Sequence, residues 1–245
     1  MATLTPEQTA AYHEQGYLHV QGFLSPEEAR ALREECHALA TRLQAQRSIE
    51  ATWGSAQQVT MVKTQLLHCH DVQFHAAAFT RLLADPRIGG AAADLIGPNV
   101  ELHHNKMFIK PPEKGSPFPL HQDHPFFPHE KHSMMAVILH FDDAPEEKGC
   151  LRVVPGSHHQ GPLEHIETGG WHLSTDEYPL ESAVAVPARA GDAVFFSYLT
   201  IHGSGVNVSN EARTTLLIQM RSADDRPTVD THPSRGQGMM LAGIH

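Results

Sequence analysis

The sequence has few of the features that mark secreted or membrane proteins. It contains only 3 cysteines, Cys36, Cys69 and Cys150, an odd number without a closely spaced pair. This pattern argues against a disulfide scaffold or a structural zinc site and indicates a reducing compartment, the cytoplasm. No apolar run approaches the length of a membrane-spanning helix, and the first residues lack a charged and apolar signal pattern. We therefore expect no membrane partner.

Positive charge is scarce as well. Lys and Arg number 18 against 28 Asp and Glu, which gives a formal net charge of −10. Such a balance argues against binding to nucleic acids or to anionic membrane surfaces. It leaves room for a locally basic pocket, so the expected partner is a small-molecule substrate. For the assembly state, the sequence is compatible with a monomer or a homodimer.

The first hundred residues carry helical patterns. The stretch from Thr5 to Gln15 begins with a capping-box pattern and a proline at the first helical position, which predicts a helix. The stretch GYLHVQGFL at 16–24 alternates apolar and polar residues, which predicts a short strand. A second helix start lies at Ser25. Further helices are predicted over residues 74–85 and 88–96. Residues 46–62 show neither helical nor strand periodicity of apolar residues, and they are predicted to form a loop that covers a site as a lid.

From Val100 onward the sequence pattern changes to short apolar runs separated by Pro, Gly and Asp. Such spacing predicts strands of an antiparallel sandwich or barrel. The 17 prolines and 18 glycines also fit a turn-rich β protein better than a helical bundle. We expect a single, mainly β domain over residues 1–245, in which helices of about residues 1–99 pack on a β core of about residues 100–225.

Residues 120–123 read LHQD, and a lone histidine, His202, precedes a glycine-rich turn far downstream. If the first stretch is a strand, His121 and Asp123 project from the same face. Two histidines and one carboxylate on one side of an ion form the facial triad of non-heme Fe(II) oxygenases. Three coordination positions then remain open for a cosubstrate and O2. His121, Asp123 and His202 are therefore the candidate metal and catalytic residues.

Arg213 follows His202 across a short turn and begins a predicted strand. A guanidinium group there can clamp a carboxylate with two parallel hydrogen bonds. This position matches the need to hold a dicarboxylate whose other end chelates iron.

With these motifs the chain resembles the phytanoyl-CoA dioxygenase family of Fe(II)/2-oxoglutarate-dependent oxygenases, over nearly its whole length. The stretches that carry the resemblance are GYLHVQGFLSPEEARALREE near the start, KPP at 110–112, LHQD at 120–123, GCLRVVPGSH at 149–158, GDAVFF at 191–196 and HGSGVNVSNEAR at 202–213. The resemblance implies a double-stranded β-helix, which is a cupin-like jelly roll with flanking α-helices.

The resemblance also implies an activity. It makes the chain an Fe(II)- and 2-oxoglutarate-dependent dioxygenase that uses O2 to hydroxylate a small molecule, releasing succinate and CO2. Arg213 would bind the distal carboxylate of 2-oxoglutarate, and Lys106 and Ser204 complete the expected cosubstrate contacts. Related halogenases replace the carboxylate ligand with a small residue, so the presence of Asp123 favours hydroxylation.

The substrate side is less defined. Strand alternation places Gln219 and Arg221 on the face of Arg213. Ile138 stands where phytanoyl-CoA hydroxylases tend to carry Trp, which argues against an acyl-CoA substrate. Arg152 and Arg221 favour a small anionic substrate, such as an organophosphonate or a natural-product intermediate. The expected substrate contacts are Gln65, Phe126, Phe127, Ile138, Arg152, Gln219 and Arg221.

Two other interpretations remain open at this point. One is a cupin-like metal enzyme, an isomerase or a dioxygenase, that does not use 2-oxoglutarate. Arg213 argues against it, because the residue would have no dicarboxylate to bind. The other is a metal-binding β barrel without turnover, and the intact set of three ligands and Arg213 argues against that.

Overall fold

The computed structural model describes residues 2–46, 50–51, 56, 59–60, 63–230 and 234–245. Most of the predicted lid over residues 46–62 lies outside these ranges. Within them, no helix is long and apolar enough to cross a membrane.

The described helices lie in the N-terminal region, as the sequence predicts. They are Pro6–Gln15 (α1), Pro26–Gln46 (α2), Ala77–Leu83 (α3) and Pro86–Ile96 (α4). The capping box of α1 is present: the Gln8 backbone N–H donates to the Thr5 hydroxyl, and the Thr5 N–H donates to the Gln8 side chain. Ser25 and Glu28 make the same reciprocal pair at the start of α2.

The strands of the described residues form two antiparallel sheets. In chain order they are Tyr17–Val20 (β1), Glu50–Ala51 (β2), Leu66–His70 (β3), Val100–Lys110 (β4), Phe118–His121 (β5), Met135–His140 (β6), Leu151–Val153 (β7), Val184–Val186 (β8), Ala193–Ser197 (β9), His202–Ser204 (β10), Arg213–Ser222 (β11) and Met240–Ala242 (β12). The larger sheet has the order β1-β9-β6-β11-β4-β3-β2, with β12 beside β4, and the smaller has the order β5-β10-β7-β8.

This arrangement confirms the predicted mainly β jelly roll with flanking helices. The N-terminal region also contributes strands, and β1 confirms the strand predicted over residues 16–24. Its strands β1 and β3 pair with β9 and β4, and therefore extend the larger sheet at both ends. Strand β3 was not predicted from the sequence.

Strand β11 shows how the larger sheet separates core from pocket. Leu216, Ile218 and Met220 belong to the main hydrophobic core, together with helix residues such as Leu39 and Phe79. The alternate residues face the other way, toward the smaller sheet. Because both faces are covered, β11 is apolar or uncharged along most of its length.

Candidate active site

A pocket opens between the two sheets. Its larger-sheet wall is formed by alternate residues of neighbouring strands, and its smaller-sheet wall by β5, β7 and β10. The larger-sheet residues are His104, Lys106 and Phe108 of β4, Ile138 and His140 of β6, Phe196 of β9, and Arg213, Thr215, Leu217 and Gln219 of β11. The sequence-based alternation along β11 therefore holds from Arg213 to Gln219.

His121 and His202 are direct partners in the ladder of β5 and β10, with ring centroids 4.3 Å apart. Nδ1 of His121 lies 2.8 Å from the Pro119 carbonyl, and Nδ1 of His202 lies 2.9 Å from the Thr200 carbonyl. A carbonyl only accepts, so each Nδ1 carries the hydrogen. Each Nε2 therefore keeps its lone pair for a metal.

Asp123 reaches the histidines from a turn and not from a strand, which corrects the strand interpretation of LHQD. Strand β5 ends at His121, and the Asp123 backbone N–H donates to the Tyr198 carbonyl at 2.9 Å. The Oδ1 atom of Asp123 then lies 3.7 Å from Nε2 of His121 and 3.8 Å from Nε2 of His202. One ligand atom from each of the three residues lies within 4.8 Å of the others.

Gln122, the residue between the two candidate ligands, holds this turn. Its side-chain N–H groups donate to the Gly161 and Leu199 carbonyls, and its oxygen accepts from the Leu163 N–H at 2.9 Å. The residue is fully buried. Sequence reasoning gave Gln122 no role, although a buried amide inside an HxD motif needs such partners.

The second carboxylate oxygen of Asp123 is bound by Gln219. Gln219 Nε2 donates to Asp123 Oδ2 at 2.6 Å, which leaves Oδ1 directed at the histidines. Burial also lowers the pKa of His121 well below its ordinary value, so this ring is neutral, as a metal ligand must be. Two imidazole nitrogens and one carboxylate oxygen fit Fe(II) and leave coordination positions for other ligands.

Two buried basic side chains lie at the other end of the pocket: Arg213 lines it, and Lys110 lies behind the lining residue Ser204. Arg213 and Lys110 are opposite each other in the β11–β4 ladder, and neither forms an ion pair with a carboxylate in the described part of the chain. Burial lowers the pKa of Arg213 to about 10, and burial beside Arg213 lowers the pKa of Lys110 well below its ordinary value. Buried charges without a counter-ion are costly, so this end of the pocket favours an anion.

Ser204 and a glycine turn support the two cations. Lys110 Nζ donates to Ser204 Oγ at 2.8 Å and to the Gly205 carbonyl at 2.6 Å. Arg213 donates to the Gly149 carbonyl. Gly149 has a φ of +66°, and a Cβ there would lie 2.2 Å from the Gly205 oxygen. Glycine is therefore required in the Gly-Cys motif, because the Gly205 carbonyl, which accepts from Lys110, passes too close for a side chain.

The expected contact residues divide into two groups. The pocket lining includes Lys106, Ser204, Phe126, Phe127, Ile138 and Gln219. Gln65 does not line it: its backbone bridges to Gly115. Arg152 and Arg221 also lie outside the lining.

The two arginines are engaged elsewhere, which corrects the expectation that they meet the substrate. Arg152 donates to Glu146 at 2.6 Å and to the Ala183 carbonyl at 3.0 Å. Arg221 lies opposite Glu101 in the ladder and donates to its carboxylate from Nε at 2.7 Å. Strand alternation gives the side of a strand but not the point at which the pocket ends.

His140 is a pocket residue that sequence reasoning missed. It stands at the end of β6, is only 1% exposed, and has no hydrogen-bond partner for either ring nitrogen among the described residues. With many histidines in the chain, the sequence offers no signal that separates this one from the rest.

Comparison with known proteins gives a consistent set of relatives. A family model described as phytanoyl-CoA dioxygenase (PhyH) matches residues 12–215. A probable alpha-ketoglutarate-dependent hypophosphite dioxygenase of Stutzerimonas stutzeri is 27% identical, covering 90% of this chain and 80% of the relative. The L-proline trans-4-hydroxylase of Streptomyces griseoviridis is 28% identical, covering 91% and 88%.

Solved structures agree with these relatives. The epimerase SnoN in complex with Fe3+, alpha ketoglutarate and nogalamycin RO matches with a TM-score of 0.72 and 28% identity, covering 97% of this chain and 95% of that one. The carbocyclase SnoK from nogalamycin biosynthesis, described as non-heme and alpha ketoglutarate dependent, matches with a TM-score of 0.75 and 26% identity, covering 93% and 88%.

Proposed function

The chain belongs to the phytanoyl-CoA dioxygenase family and is an Fe(II)- and 2-oxoglutarate-dependent dioxygenase, and we propose that His121, Asp123 and His202 hold its iron. The observation that carries this assignment is the convergence of two Nε2 lone pairs and Oδ1 of Asp123 on one point. Bound Fe(II), with 2-oxoglutarate and O2, supplies the oxidising chemistry that hydroxylates a small molecule and releases succinate and CO2.

The cationic end of the pocket is the proposed site for the distal carboxylate of 2-oxoglutarate. Arg213 offers a planar donor group that suits a carboxylate, and Lys110 adds positive charge behind Ser204. A bound dianion would supply the counter-charge that these two buried side chains lack. This support favours a 2-oxoglutarate enzyme over a cupin-like metal enzyme without that cosubstrate.

Lys106 lies on the wall between the cationic end and the proposed iron site. It is opposite Leu217 in the β11–β4 ladder and forms no ion pair in the described part of the chain. Burial lowers the pKa of Lys106, and the nearby charge of Asp123 partly opposes this effect. We propose that Lys106 binds the C1 end of 2-oxoglutarate. If it binds an anionic group of the substrate instead, Lys106→Gln will raise the KM of the substrate and not that of 2-oxoglutarate.

The proposed substrate is a small molecule that packs against Phe126, Phe127 and Ile138 of the pocket lining. With Arg152 and Arg221 outside the pocket, an organophosphonate or another anionic metabolite would depend on Lys106 for its counter-charge. A natural-product intermediate would use the apolar and aromatic side chains instead. Screening both classes by succinate release separates them.

We further propose that residues 1–245 form one domain that acts in the cytoplasm as a monomer or homodimer, with neither nucleic acid nor membrane as a partner. The N-terminal helices share one hydrophobic core with the larger sheet. All 3 cysteines are free and buried, which fits a reducing compartment. The net charge of −10 disfavours nucleic acid.

The first test is anaerobic binding of Fe(II) and 2-oxoglutarate, followed by the visible charge-transfer band of the chelate. The wild type should show the band, and Arg213→Ala at the same iron content should need far more 2-oxoglutarate to reach it. Stoichiometric iron without a band would favour the metal enzyme that works without 2-oxoglutarate. Absence of iron binding would contradict the proposed ligand set.

A further inference from the structure

His140 occupies an unusual position in the cationic end of the pocket. It lies directly opposite Thr215 in the β6–β11 ladder and is thus a diagonal neighbour of Arg213. Diagonal neighbours on one face lie about 7–8 Å apart, so two long side chains can both reach a ligand held between them. The ring lines the pocket, and both its nitrogens are buried without a hydrogen-bond partner in the described residues.

The groups around the ring leave it neutral. Burial, and then the charge of Arg213, lower the pKa of His140 to about 3, with His19 also opposing its protonation and Asp192 favouring it. The Asp192 carboxylate is already bound by the His19 ring and by the Gly22 and Arg189 N–H groups. His140 therefore presents one N–H donor and one lone pair, with no partner from β1, β9 or β11.

A second unmet donor lies at the same end of the pocket. Arg213 Nε is also buried without a hydrogen-bond partner among the described residues. Buried polar groups in native proteins are nearly always hydrogen-bonded, so two orphan donors beside one cavity indicate a shared acceptor. A carboxylate has two oxygens and accepts from both sides.

We propose that His140 is a positioning residue for the cosubstrate, whose ring N–H donates a hydrogen bond to the distal carboxylate of 2-oxoglutarate bound by Arg213. The inference rests on the proposed function. A neutral donor suits this place, because a further cation beside Arg213 and Lys110 would raise the cost of the empty pocket. His140 thus adds directionality to the carboxylate site without adding charge.

The test is calorimetric binding to the Mn(II)-loaded protein with two ligands. One is 2-oxoglutarate; the other is 2-oxopentanoate, which chelates a metal in the same way but has a methyl group in place of the distal carboxylate. His140→Phe should weaken 2-oxoglutarate binding roughly 10- to 100-fold, the range for a hydrogen bond to a charged group. Binding of 2-oxopentanoate should change by less than about threefold on the same grounds.

A merely structural role for His140 would weaken both ligands alike, and that result, or unchanged binding of 2-oxoglutarate, overturns the inference. His140→Asn keeps an N–H donor in a smaller side chain and should recover part of the affinity for 2-oxoglutarate only. This variant also keeps the test decisive if His140→Phe does not fold.

Arg213→Ala distinguishes an error in the proposed cosubstrate site from an error in the role of His140. It should abolish the preference for 2-oxoglutarate over 2-oxopentanoate. If Arg213→Ala keeps that preference, the proposed orientation of the cosubstrate is wrong. If Arg213→Ala loses the preference while His140→Phe keeps it, only the role of His140 is wrong.

Discussion

Gln219 donates a hydrogen bond to one oxygen of Asp123, while the other oxygen of the same carboxylate faces Nε2 of both His121 and His202. The amide therefore selects which oxygen is presented to the metal. It does so from β11, the strand that also carries Arg213. Orientation of the proposed iron ligand and anchoring of the cosubstrate at its proposed site would thus depend on one strand.

Replacing Gln219 with Met should weaken iron binding without removing a ligand. The Asp123 carboxylate then loses its donor and can rotate, and losses of outer hydrogen bonds at metal sites typically cost about 10- to 100-fold in affinity or activity. Fe(II) titration under anaerobic conditions measures the change. Leu217→Met, on the same face of β11, is the matched control and should bind iron as the wild type does. Equal affinities for both variants would contradict the role of the amide.

Asp123→Ala should abolish turnover and release most of the iron, because only two neutral imidazoles remain. Metal analysis of the purified protein and succinate release measure the two effects. Asp224→Ala, which removes an exposed carboxylate, is the control and should retain both properties. Full turnover by Asp123→Ala would show that the ligand set is assigned incorrectly.

Arg221→Met should destabilise the fold and not alter substrate binding. The Glu101 partner is only 2% exposed, so the variant leaves a buried carboxylate uncompensated, which typically costs about 3–5 kcal/mol. Arg152→Met is the comparison: its partner Glu146 is largely exposed, and such pairs contribute about 0–1 kcal/mol. Urea unfolding gives both values. A raised KM for the substrate with unchanged stability in Arg221→Met would show that Arg221 contacts the substrate after all.

His140 should make the free protein less stable as the pH falls. The folded ring has a pKa of about 3, so between pH 6.5 and 3 the unfolded chain binds a proton that the folded chain does not. Stability from this group is complete above about pH 6.5 and falls by about 1.4 kcal/mol per pH unit below it. In urea unfolding without ligand, the stability of His140→Phe relative to the wild type should rise by about 2 kcal/mol from pH 7.5 to pH 5. The same difference at both pH values would mean that the ring takes up its proton in the fold as readily as in the unfolded chain.

Much of the fold and the core of the site follow from local pattern. The alternation from Arg213 to Gln219 and the HxD motif each reflect one strand or one turn, so the sequence carries their signal directly. The strand interpretation of LHQD was wrong only because Gln122 and the Tyr198 carbonyl turn the chain after His121. The carbonyls of Leu199 and Tyr198 that hold this turn are distant in sequence, so no local pattern predicts the contacts.

The roles of the remaining residues depend on distance across the barrel. Arg221 shares the strand of Arg213 but lies where Glu101 and not the pocket is its neighbour. His140 has no motif of its own, and its significance comes from the lack of a hydrogen-bond partner for its ring among the described residues. Sequence pattern reports what a residue is and which face it takes, whereas an unpaired donor is visible only in three dimensions.

The direct pairing of His121 with His202 would give iron at the proposed site a second role. The two residues are far apart in the chain yet adjacent across β5 and β10, so an ion bound by both would act as a reversible cross-link between strands whose pairing closes a long loop. Because the unfolded chain has no such preformed site, the free energy of metal binding adds to that of folding. Iron supply would then govern the lifetime of the protein as well as its turnover.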